Sequence, residues 1–167
     1  MKNFSKRGNM VLDGLLILMF VFMFALFSIT AKWFSGQLNT EIQADPDLAN
    51  LSKTTYAELD SNLTGWIDNA FTLLVIILVL GVVLTSYMVD AHPAFIGIAI
   101  LLLLVLIIVS MYVSNIYEEV ATDELFLSTS LSIPKMHWIL SHLPIIIFGT
   151  MLLSIGVLYA KTRIVTN

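Results

Sequence analysis

Four apolar runs alternate with polar segments along the chain. Each is long enough to cross the ~30 Å hydrocarbon of a bilayer, which takes about 20 helical residues. The first covers 10–33 and has Asp13 near its start, whereas the second (70–89) and the third (94–113) carry no charge. The fourth, 139–160, contains His142 and Pro144. Around them lie a tail at 1–9, a polar segment at 34–69, a tight turn at 90–93, a second polar segment at 114–138 and a tail at 161–167. Pro93 suits the first turn of the third helix, where a missing N–H costs nothing. Within 34–69, Thr55-Tyr56-Ala57-Glu58 has capping-box spacing. Leu59, Leu63, Ile67 and Phe71 follow at intervals of four. This spacing predicts a second helix that starts near Tyr56 and runs past Gly65 into the membrane.

Composition agrees with this pattern. Apolar residues make up 58% of the 167 and charged residues 12%, against about 25% charged in an average soluble domain. A globule of this size could not hide so much hydrocarbon from water, so lipid must cover it. The chain is therefore expected to be an all-α integral membrane protein, a four-transmembrane-helix bundle. Basic residues set the orientation. Lys2, Lys6 and Arg7 precede the first span, and Lys161 and Arg163 follow the fourth. Both termini are thus expected on one inner side, together with the 90–93 turn. The outer side then receives 34–69, with six acids against Lys53, and 114–138, with four acids against Lys135. Trp33, Trp66 and Trp138 fall at the outer ends of spans, as an aromatic belt requires.

Candidate chemistry is sparse. Asp13, about 5 Å inside the inner edge at 1.5 Å per residue, reads as an interfacial acid within reach of Arg7 and Lys161. A proton or ion site is the competing reading, since an acid within a span is a functional candidate by default. His142 sits near the opposite edge, and the span centres hold only apolar residues, Gly, Ser and Thr. A coupled transporter needs polar groups at the midplane. Neither H-E-x-x-H, G-x-S-x-G nor a Gly-rich phosphate loop occurs, so catalytic residues and cofactors are expected to be none. Glu118, Glu119, Asp123 and Glu124 lack the pattern of a calcium loop and read as a solvated face. Asn50-Leu51-Ser52 and Asn62-Leu63-Thr64 fit the glycosylation sequon, which matters only in a eukaryotic secretory setting. Without cysteine, disulfides and thiolate metal sites are excluded.

Lys6-Arg7-Gly8, followed by Asn9-Met10-Val11-Leu12-Asp13, resembles the leader of type IV pilin-like proteins, the TadE-type minor pilins among them. The resemblance implies cleavage after Gly8, an acid at the fifth mature position and an assembly role for Asp13. It ends within the first span. Those proteins have one such helix, whereas this chain has four.

Small residues suggest close helix packing in lipid. Gly149 and Gly156 share a face of the fourth span, with Thr150 and Ser154 beside them; Gly81 and Thr85 repeat the four-residue spacing in the second. These stripes could serve the bundle itself or a neighbouring subunit. With no catalytic constellation and an acidic outer side, the expected function is a non-enzymatic structural or assembly subunit. It would dock partners through its outer segments, as an accessory subunit of a membrane complex or as a membrane protein of a lipid-containing virus. Expected partners are the bilayer and other membrane or capsid-like protein subunits, with no specific nucleic-acid binding. The alternative is a holin-like pore former or small channel; a membrane-embedded transporter or enzyme comes third.

Overall fold

The computed structural model describes residues 10–88 and 94–165. Among them are six helices and no strand: α1 (Met10–Ala44), α2 (Asn50–Met88), α3 (Ala94–Thr122), α4 (Leu127–Ser132), α5 (Pro134–Ser141) and α6 (Leu143–Val165). Four of these, α1, α2, α3 and α6, are long and apolar enough to cross a membrane. The chain is a multi-pass, all-α membrane bundle. The 1–9 tail and the 90–93 turn, with Arg7 and Pro93, lie outside the described residues, as does the side chain of Asp13.

The helices do not stop where the apolar runs stop. α1 has 35 residues and α2 has 39, hence lengths of about 52 and 58 Å, nearly twice the hydrocarbon thickness. The segment expected as a loop from 34 is helical as far as Ala44, and α2 starts at Asn50, six residues before the expected start near Tyr56. The capping box does not form. Thr55 sits inside the helix and its hydroxyl donates to the Leu51 carbonyl. Pairing between the two helices carries them outward. A tight turn in which the Asp47 N–H donates to Asp45 Oδ1 (2.9 Å) reverses the chain. Beyond it, Gln43 Nε2 donates to the Lys53 carbonyl while Lys53 Nζ donates to the Gln43 carbonyl. α2 passes Gly65 unbroken.

The second connection is also helical. α3 continues to Thr122, nine residues past the expected end at 113, and α4 and α5 follow as short helices. The fourth span starts at Leu143 rather than 139, because the chain breaks at His142 just ahead of Pro144. Residues 139–141 belong to α5.

α1 packs on α2 and α3, and α6 packs on the same two helices, so α1 and α6 face each other across the bundle. α4 and α5 lie across one end against α1, α2 and α3. We call this pair the cap. Beneath it is the densest part of the core, where Phe71, Tyr117, Ile133, Met136 and Leu140 are fully enclosed. Further from the cap the four long helices surround a cavity of about 110 Å³, lined by apolar side chains such as Ile17, Leu18, Val21, Leu78, Leu106 and Ile146. Phe20, Phe27, Leu84, Leu104 and Leu153 point outward, where hydrocarbon is their natural surrounding.

Within the chain, the glycines of the stripes do not make the helix contacts. A methyl group at Gly81, Gly149 or Gly156 would meet nothing within 4 Å, whereas one at Gly14 would come within 3.2 Å of Leu106 Cδ1. Thr85 is exposed and bonds only to its own helix, at the Gly81 carbonyl. Thr150 is half-buried on the cavity wall. Ser154 alone of the stripe is buried, together with Ser28, Ser86 and Ser110 on the other helices. Gly14→Val is therefore expected to lower stability by about 1–3 kcal/mol through overpacking against Leu106. Gly81→Ala and Gly156→Ala should gain up to about 1 kcal/mol from helix propensity. Thermal unfolding in detergent followed by circular dichroism measures both; a tolerated Gly14→Val would put the close contact elsewhere.

Candidate functional site

The cap depends on α5, and α5 is too short to satisfy itself. In an eight-residue helix most backbone amides and carbonyls are end groups without an intrahelical partner. Pro134, in the first turn, has no N–H to satisfy, and Ile133 at the N-cap has no acceptor in its side chain. Asp68 of α2 fills the gap. Its Oδ1 accepts from the Met136 N–H at 2.8 Å and its Oδ2 from the Lys135 N–H at 3.3 Å. Asp68 is 6% exposed, so this is a buried carboxylate on a helix N-terminus, where the peptide dipoles favour negative charge. Lys135 Nζ turns back to donate to Asn69 Oδ1 at 2.6 Å.

The other end of α5 needs donors rather than acceptors. The Ser114 hydroxyl on α3 lies 2.9 Å from the Leu140 carbonyl and 3.1 Å from that of Ser141, and its single proton serves both. At His142, where the helix breaks, ring Nδ1 donates to the Trp138 carbonyl at 2.9 Å. α4 is joined to α3 by Ser130, whose hydroxyl bonds the Ala121 carbonyl at 2.8 Å. Between α3 and α5 the fully buried Tyr117 brings its hydroxyl within 3.3 Å of His137 Nδ1. Among the described residues, no buried side-chain nitrogen or oxygen lacks a hydrogen-bond partner.

A second polar joint ties α1 to α2. Lys32 Nζ lies 2.6 Å from Asp60 Oδ1 and 3.0 Å from the Asp60 carbonyl, and the Ser35 hydroxyl donates to the same carboxylate at 2.7 Å. Burial alone would push the Asp60 carboxyl up. The hydrogen bonds from Lys32 and Ser35, with the lysine's charge, outweigh it and hold the group below its ordinary value of 3.8.

At the opposite end of the bundle Lys161 Nζ donates to the Tyr87 carbonyl at 3.0 Å and lies 5.8 Å from the centre of its ring. The ammonium thus meets the last turn of α2, the favourable place for a cation. Its expected partner Asp13 and the neighbouring Arg7 lie outside the side chains described. Of the three expected interface anchors, Trp66 is exposed, Trp33 packs against Phe126 with ring centres 6.0 Å apart, and Trp138 stacks on His142 at 4.8 Å.

Sequence reading passed over Asp68, Lys32, Ser114 and Tyr117. Asp68 counted as one more acid of an outer segment, although it lies about one turn before Phe71 on the inward face of α2. An acid on an apolar helix face was the available signal. Ser114 offered none. Among the described residues, no group of three or more His, Asp or Glu side chains is arranged to hold a metal ion. No protein-family model matches the chain, and neither curated proteins nor solved structures show a match to it.

Asp68→Ala strips both α5 amides of their acceptor and is expected to cost about 2–3 kcal/mol. Asp68→Asn, which keeps one acceptor, should cost less. Amide exchange at Lys135 and Met136 reads the effect locally; unchanged protection in Asp68→Ala would mean that the carboxylate does not hold α5. The Asp60 joint has its own pH dependence. Because its folded-state pKa is lowered, its stabilisation is complete above the ordinary value of 3.8 and disappears as pH falls through the lower folded value. Melting temperature should therefore drop in strongly acid solution, and Asp60→Asn should shrink that drop.

Proposed function

We propose that this chain is a non-enzymatic assembly subunit. Its four spans serve as an anchor, and the end carrying the cap and the protruding α1–α2 hairpin docks other proteins. The reading includes both termini on the inner face and the acidic, cap-bearing end on the outer one. It covers an accessory subunit of a membrane complex and a membrane protein of a lipid-containing virus alike.

One observation carries most of the weight. The polar side chains gathered inside the cap end are spent on backbone groups and on each other: Asp68 on the α5 amides, Ser114 on its carbonyls, Ser130 on α3 and Tyr117 on His137. That is how a fixed shape is built. The acids that remain, such as Glu41, Asp47, Glu58, Glu118 and Glu124, stand on the surface of the same end. A rigid surface with exposed charge suits recognition, since complementary charge speeds encounter and selects partners. The alternative of a pore within one chain has less support, because the space at the centre of the bundle is walled by apolar side chains and gives ions no polar path.

Purification of the full-length protein from its own membrane in mild detergent, after chemical cross-linking, tests the proposal. A reproducible set of partner proteins cross-linked to 34–69 and 114–138 is the expected result. A chain that runs alone and carries ions across liposomes would replace it with the channel reading.

A further inference from the structure

The α1–α2 hairpin has an apolar stripe where water, not lipid, should surround it. Leu51, Leu59 and Trp66 are spaced eight and seven residues apart along α2, close to two full turns each, and so share a face over about 22 Å. They are 79%, 50% and 64% exposed. Leu51 lies about 28 Å, and Leu59 about 16 Å, before the apolar run that starts at Ala70. Trp66 alone is near the interface. Three large apolar side chains exposed on one side of a helix, set among Thr55, Glu58 and Asn62, are anchors that a partner can cover. Seven- to eight-residue spacing is what a second helix laid alongside would read as its anchors.

Charge selects the kind of helix. Segments 34–69 and 114–138 hold ten acids against two lysines; Asp60 is ion-paired with Lys32 and Asp68 is buried on the α5 amides, and the eight acids left still outnumber Lys53 and Lys135. Glu58, exposed, lies seven residues beyond Leu51 and so borders the stripe. A second copy of this chain would bring the same acids against these and be repelled. We propose that the Leu51–Leu59–Trp66 face of α2 is the seat of a basic amphipathic helix from another protein, a reading that rests on the assembly role above and names its partner's chemistry. The partner's apolar side covers the stripe, and its lysines or arginines answer Glu58 and the hairpin's other acids.

The probe is an idealised leucine–lysine helix of about 18 residues, long enough to span the stripe. Its binding is measured against the full-length protein in phosphatidylcholine nanodiscs, with empty nanodiscs subtracted. A leucine–glutamate helix and a scrambled leucine–lysine peptide serve as comparisons. The amphipathic basic helix should bind the natural protein, weaken as salt rises, and lose at least about tenfold in affinity with Leu51→Ser/Leu59→Ser. Both side chains point away from the bundle, so circular dichroism of that variant should be unchanged. Equal binding to the double variant, equal binding of the acidic helix, or self-association through the stripe would each overturn the proposal. The two readings fail separately. If native partners cross-link equally well to the double variant, the assembly role stands and the stripe is not its seat. If the natural protein recovers no partner at all, the assembly role itself falls.

Discussion

Asp68 meets a constraint that governs the whole cap end. A helix beside or within lipid leaves no room for unsatisfied backbone groups, since hydrocarbon offers no hydrogen bonds. The long helices satisfy most of theirs internally. α5, only eight residues long, does not, and it would be untenable under the bundle's end without a carboxylate on its amides and a hydroxyl on its carbonyls. Once α5 is fixed, much else follows. His137 is brought to Tyr117, α4 is closed onto α3 through Ser130, and the break at His142 sets where α6 begins its descent between α2 and α3. A buried charge is expensive when unpaired. Here it is spread over two amides aimed at it.

The two ends of the molecule are built differently. At the cap end, side chains of α2 and α3 bind α5, and a separate lysine–aspartate joint ties α1 to α2. At the other, Lys161 meets the last turn of α2. The membrane portion between them depends on shape and surrounding lipid. Between α1 and α3, Gly14 leaves room for Leu106.

The four spans were legible because hydrocarbon discriminates so harshly: an uncharged run of 20 residues has few other uses. Helix ends were not. α1 and α2 continue outward because Lys32, Gln43 and Lys53 find partners on the opposite helix, and no local pattern encodes that. The capping box at Thr55 was a local signal overruled by this pairing. The glycine stripe of α6 does not serve contacts within the chain, for another reason. Small-residue spacing identifies a face but not its direction, and Gly149 and Gly156 lie away from the neighbours while Ser154, on the same helix, turns inward. Asp68 was half legible. Its charge suggested an outer loop, and its register with Phe71 suggested burial; register was the better guide.

The cavity among α1, α2, α3 and α6 has a mechanical consequence. The space is partly open and its walls are apolar, so water gains no hydrogen bond by entering it, and the lining atoms lack close protein neighbours on one side. Around it the helices are held by dispersion alone, without a hydrogen bond that would resist their approach. Open space of this kind is what pressure acts on, so the level between α1 and α6 is where lateral compression meets the least packed material. The cap, whose core side chains are fully buried and whose α5 is held at both ends by α2 and α3, has no such space to give up.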